Sequence, residues 1–70
     1  MNHKYETVIW WSEEDQLFLA KAPELPGCMA HGETRDEAWR EIHNAMDLWL
    51  EVAQEHGDPI PQPKGELVPV

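Results

Sequence analysis

The stretch Thr34-Arg35-Asp36-Glu37-Ala38-Trp39-Arg40-Glu41-Ile42-His43-Asn44-Ala45-Met46-Asp47-Leu48-Trp49-Leu50 decides the fold of this chain. Its first four residues fit a capping box, in which the Thr34 hydroxyl accepts from the Glu37 backbone amide and the Glu37 carboxylate reaches back to a second free amide. Asp36 adds negative charge where the helix dipole favours it. The helix so begun is expected to run to His56 and to stop at Gly57, which can take the left-handed conformation, with Pro59 close behind. At about 1.5 Å per residue the rod measures about 33 Å. Placed at intervals of about 100°, Ala38, Trp39, Ile42, Ala45, Met46, Trp49, Val52 and Ala53 share one broad face, with Leu48 and Leu50 at its margins. Glu37, Arg40, Glu41, Asn44, Asp47, Glu51 and Glu55 fall opposite. Such a helix covers a sheet with its apolar side. Its outer side carries like charges one turn apart, Glu37/Glu41, Asp47/Glu51 and Glu51/Glu55, at a cost of a few tenths of a kcal/mol each.

Upstream, Lys4 to Trp11 is rich in β-branched and aromatic residues and reads as a strand. Ser12-Glu13-Glu14-Asp15-Gln16 is a polar connector of hairpin length, and Leu17 to Ala22 reads as the second strand. Pro23-Glu24-Leu25-Pro26-Gly27 stops it, because neither proline can donate to a ladder and Gly27 tolerates a positive φ. A short third strand, Cys28 to His31, then fits before Gly32. Downstream, the prolines of Asp58-Pro59-Ile60-Pro61-Gln62-Pro63 forbid helix and imply extended chain. Lys64 to Val70 has the length of one short edge strand or a tail. The predicted fold is therefore α+β: a two-layer βββα domain over residues 1–57, with a three-stranded antiparallel sheet backed by one helix, and a proline-rich extended segment over 58–70.

Fourteen acidic residues against five basic ones give the 70-residue chain a formal charge of −9. A single-sign field of that size attracts basic partners and repels phosphate backbones, so direct nucleic-acid binding is not expected. No apolar run approaches a membrane span and the N-terminus is too polar for a signal peptide. Cys28, the one cysteine, suits a reducing compartment, and we expect a cytoplasmic protein. A chain this short buries little of its unfolded surface, so help from oligomerisation is expected.

The succession Phe18-Leu19-Ala20-Lys21-Ala22-Pro23-Glu24-Leu25-Pro26-Gly27-Cys28, then Ala30-His31-Gly32-Glu33-Thr34 and Asp36-Glu37-Ala38, resembles the HicB-like antitoxin family. Asp47-Leu48-Trp49-Leu50 and Gly57-Asp58-Pro59-Ile60-Pro61-Gln62-Pro63 continue the likeness. The Pro-x-Leu-Pro-Gly-Cys turn followed by Gly-x-Thr-x-x-Glu-Ala is specific as a combination. The resemblance implies a partial ribonuclease-H-like fold, self-association, and a partner: HicA, a small basic ribonuclease that cleaves messenger RNA. Many such antitoxins also carry a C-terminal DNA-binding module. The residues after Gly57 are proline-rich with one lysine, and no such module is expected here.

No catalytic residues are assigned. The predicted strands hold Glu6 as their sole acid, whereas a ribonuclease-H-like metal site needs several converging carboxylates. Cys28 and His31 have C-x-x-H spacing, but His3, His43 and His56 lie in separate elements, so neither a metal nor another cofactor is expected. The candidate surfaces are for protein. Glu24, Glu33, Asp36 and Glu37 flank the turn and the helix start, close enough in sequence for one acidic patch, and Glu13, Glu14 and Asp15 form a second. Leu25 is the expected apolar anchor. Trp10, Trp11, Leu17 and Leu19 supply apolar groups to both sides of the hairpin, and one helix can cover only one side, so they are the candidates for an interface with a second copy. The alternative to an antitoxin is an orphan regulatory or small-ligand-binding domain without a toxin partner.

Overall fold

The computed structural model describes residues 5–61. The element order is β1 (Val8–Ser12), β2 (Leu17–Lys21), β3 (Met29–Gly32) and α1 (Arg35–His56). The sheet is antiparallel throughout with order β1-β2-β3, and α1 crosses one face of it, an α+β arrangement as the sequence implied. Strand β1 begins at Val8, later than the expected start at Lys4, which lies outside the described residues, as does the edge strand suggested for 64–70. Residues 58–61 form neither helix nor strand. They pass beside Tyr5, whose hydroxyl donates to the Pro61 carbonyl at 2.6 Å.

The turn between β2 and β3 shows why its sequence is Ala22-Pro23-Glu24-Leu25-Pro26-Gly27-Cys28. It is two consecutive tight turns. Leu25 N donates to the Ala22 carbonyl at 3.0 Å, and Cys28 N to the Leu25 carbonyl at 3.0 Å. Each turn has proline at its second position, where a fixed φ is an advantage, and Gly27 takes φ 81° at the third position of the second turn, as a type II turn requires. Leu25, between the turns, points into the core and is fully buried.

Helix α1 is capped at both ends. The Thr34 hydroxyl accepts from Glu37 N at 3.0 Å, and Gly57 closes the helix at φ 71° with its N–H on the last turn's carbonyls. The Glu37 carboxylate reaches back one residue further than a standard capping box, to Glu33 N at 2.6 Å. The buried stripe is narrower than the periodicity suggested: Ala38, Ile42, Met46 and Ala53 are buried, with Ala45, Trp49 and Leu50 partly so. Trp39, at 50% exposure, and Val52, at 40%, were expected on the covered face and lie outside it. The reason is the width of the sheet. Three described strands underlie the helix, which packs mainly over β3 and β2, and side chains on its flanks overhang them. Trp39 instead stacks against His43 one turn on, ring centroids 4.0 Å apart.

Gly32 sets the approach of helix to sheet. A Cβ there would stand 2.5 Å from Ala38 N and 2.8 Å from the backbone carbon of Glu37. Only glycine lets the end of β3 run directly under the first turn of α1.

Candidate protein-interaction surface

Strand register sorts the side chains. Ile9, Phe18 and Ala20 face the helix, with Ala30 on the same side of β3. Alternation then places Val8, Trp10, Leu17, Leu19, Lys21, Met29 and His31 on the face opposite α1, left uncovered among the described residues, with Trp10, Leu19 and His31 in one cross-strand row. This face holds no carboxylate within the three strands. Its cation, Lys21, lies over the Trp10 ring at 5.9 Å. Trp11, grouped with Trp10 on sequence grounds, points to the helix side and meets Phe18 edge-on at 5.0 Å.

The acidic candidates divide by position along the strands. Ser12 pairs with Leu17, and Phe18 with Gly32, so the β1–β2 hairpin tip, Glu33 and the N-terminus of α1 all stand at one end of the sheet. That end gathers Glu13, Glu14, Asp15, Glu33, Asp36 and Glu37 into an acidic pole. Arg35, within it, lies over the Phe18 ring at 5.2 Å. Glu24 and Leu25 are at the opposite end, separated from Glu33 by the length of β3, about 13 Å. The single patch expected of Glu24, Glu33, Asp36 and Glu37 therefore does not include Glu24. Leu25, expected as a partner anchor, is consumed by the protein's own core because the double turn folds it inward. Glu24 is half-buried, its carboxylate accepting from Glu6 N at 3.4 Å.

Several carboxylates at the pole also order their own loop. Glu13 accepts from the Trp11 indole at 3.2 Å, and Asp15 from the Ser12 hydroxyl at 3.2 Å, while Ser12 Oγ accepts from Asp15 N at 3.1 Å. Gln16 N closes the turn on the Ser12 carbonyl at 2.8 Å, with Gln16 at φ 56°.

Along the edge of β3 that no other described strand pairs with runs an open groove of about 690 Å³ that sequence reasoning missed. All four residues of β3 line it, and the flank of α1 forms its other wall through Glu37, Glu41, Asn44 and Leu48. A second groove, about 420 Å³, continues it toward Trp49 and Val52, sharing Met29, Ala45 and Leu48. The signal was present: Glu37, Glu41 and Leu48 recur at helical spacing on one flank, but only the placement of α1 over β3 shows which flank borders the sheet edge. Among the described residues no three His, Cys, Asp or Glu side chains converge as a metal site, and no helix is long and apolar enough to cross a membrane. Cys28 is buried, and desolvation pushes its thiol pKa up.

An acidic pole, a sheet face free of carboxylates within its strands and two open grooves are the main surface features of the described residues. The chain belongs to the HicB-like antitoxin family of bacterial toxin-antitoxin systems, whose family model matches residues 5–67. It is 42% identical over 53 residues to a UPF0150 protein of Synechocystis, covering 76% of this chain and 73% of that one. A UPF0150 protein of Thermoplasma acidophilum is 34% identical over 64 residues, 91% of this chain and 93% of the relative. One from Archaeoglobus fulgidus is 38% identical over 40 residues, 57% and 58% of the two chains. No solved structure matches. Membership of the family supports an antitoxin role.

Proposed function

We propose that this chain is a non-catalytic, cytoplasmic antitoxin module that neutralises a small basic HicA-type messenger-RNA ribonuclease by covering its active site. The observation that carries the reading is the acidic pole, where the hairpin tip and the helix start bring Glu13, Glu14, Asp15, Glu33, Asp36 and Glu37 to one end of the sheet. A ribonuclease must be cationic where it holds RNA, and a rigid cluster of carboxylates competes for that surface. Hydrogen bonds within the hairpin tip favour this role, because a pre-ordered loop loses less entropy on docking.

The uncovered sheet face, apolar and free of carboxylates within its strands, is the surface for a second copy. Two chains of charge −9 repel through any other side. Self-association and toxin binding thus use different faces, with Trp10, Leu17 and Leu19 in the first.

The test is a search of the neighbouring genes for a short basic reading frame and co-expression of its product with this chain; absence of such a frame would favour an orphan regulatory domain. Expression of that protein alone is expected to arrest growth, and this chain to relieve the arrest and co-purify with it stoichiometrically. Unrelieved arrest with no complex formed would overturn the antitoxin reading.

A further inference from the structure

The outer edge of β3, unpaired among the described residues, and the groove beside it have the form of a strand-accepting site. Ala22 N donates to the Cys28 carbonyl at 3.1 Å, which makes that pair a hydrogen-bonded one in the β2–β3 ladder. Antiparallel pairs alternate, so Ala20/Ala30 and Phe18/Gly32 are bonded pairs, whereas Lys21/Met29 and Leu19/His31 are not. The backbone N–H and C=O groups of Met29 and His31 are therefore turned outward, away from β2, along the edge where the described sheet ends. Met29 and Leu48, at 56% and 60% exposure, are the most exposed large apolar side chains among the described residues, and both line this groove. Glu33, Glu37 and Glu41 stand along it. The lengths agree: four strand residues span about 13 Å, and the helix from Glu37 to Leu48 about 17 Å.

We infer that this edge takes up an extended segment of the basic partner as a fourth strand, its lysine or arginine side chains on the helix side meeting Glu33, Glu37 and Glu41 and its alternate apolar side chains, on the opposite side, packing on Met29. Main-chain pairing supplies affinity, and alternate side chains supply selectivity. Charge decides the occupant. A second copy of this chain at the same edge would bring two sets of these carboxylates together, which opposes it, whereas a cationic strand is attracted. The inference rests on the antitoxin reading for the partner's charge, and it adds which edge is used and in what backbone conformation.

The test uses the full chain, labelled with nitrogen-15, and an eight-residue peptide alternating lysine with valine. Addition of the peptide is expected to shift the amide resonances of Met29 and His31 and to slow their hydrogen exchange. A peptide alternating glutamate with valine is expected to leave both unchanged. The variant Glu41→Lys/Asn44→Lys, in the groove wall but outside the acidic pole, is expected to weaken the lysine peptide and the cognate toxin at least about 10-fold, while Met29→Ser, at an exposed site, weakens the apolar half of the contact. Shifts confined to Glu13–Asp15 would overturn the inference. So would slow exchange of the Met29 and His31 amides in the free protein, whether from a second copy or from residues of this chain outside 5–61. A toxin that binds wild type and Glu41→Lys/Asn44→Lys equally would overturn the strand site and leave the antitoxin reading intact. Peptide docking at β3 without any toxin binding would count against the antitoxin reading instead.

Discussion

The Trp49 indole donates to the Pro26 carbonyl at 2.9 Å, joining the helix to the double turn 23 positions earlier. The turn needs this. Its two prolines have no N–H to contribute, so its shape rests on two backbone hydrogen bonds, on Leu25 in the core and on this contact from α1. One residue thereby couples the family's turn motif to the layer that covers the sheet.

Replacing Trp49 by Phe retains an aromatic ring and removes the hydrogen bond, with an expected loss of about 1 kcal/mol. Trp49→Ala also removes the packing against the core cluster and is expected to cost about 3 kcal/mol, whereas Thr34→Ala, which loses the cap to Glu37 N, costs about 1. Urea melts that ranked Thr34→Ala as the most damaging of the three would contradict this placement of the helix face.

Gly32→Ala is the smallest substitution with a large predicted effect. Its new methyl would meet backbone atoms of Glu37 and Ala38, which cannot rotate away as a flexible side chain could. Overpacking of this kind costs about 1–3 kcal/mol, and here it must push α1 off β3. Thermal unfolding is the measurement. A midpoint equal to wild type would mean that the helix approaches the sheet less closely than described.

The elements of this fold were legible because each carries local chemistry: the β-branched run of the first strand, the Pro-Gly stop, the Thr34 cap and Gly57. What sequence could not supply was the lateral position of α1. A periodicity plot assigns Trp39 and Val52 to the apolar face, but their burial depends on how many strands lie beneath, and three strands leave both overhanging. The same displacement hid the groove along β3, since Glu41 and Leu48 gain meaning only beside a sheet edge. Leu25 is buried in this chain's own core for a related reason. A leucine between two prolines suggests an exposed loop, until two successive turns fold it inward.

Burial raises the Cys28 thiol pKa by desolvation, which disfavours the thiolate in the folded state. A raised folded-state value means that its contribution to stability is complete below the thiol's unfolded pKa and is lost as pH rises through the folded one. Stability is therefore expected to fall in alkaline solution. A Cys28→Ala variant should show a shallower alkaline loss, although its neutral stability is lower for want of the sulfur. Thiol labelling at mildly alkaline pH is expected to track unfolding rather than to precede it, and fast labelling of the native chain would show that Cys28 is accessible.

Salt separates the two interfaces proposed for this molecule. Exposed charge pairs are worth under about 1 kcal/mol each, so toxin association through the acidic pole is expected to show a rate that falls several-fold between low and physiological salt, not a loss of binding on one substitution. Self-association through Trp10, Leu17 and Leu19 has the opposite signature. It buries apolar groups between two like-charged bodies, so added salt screens their repulsion and strengthens it. Sedimentation at micromolar concentration is expected to show a dimer or larger species that is more populated at high salt. Leu19→Glu, which places a carboxylate in the centre of the uncovered row, is expected to yield a monomer that still binds toxin at the wild-type rate. A wild-type chain that sediments as a monomer at all salt concentrations would remove the sheet face as an interface. A Leu19→Glu variant that loses toxin binding as well would mean that the toxin, and not a second copy, occupies this face.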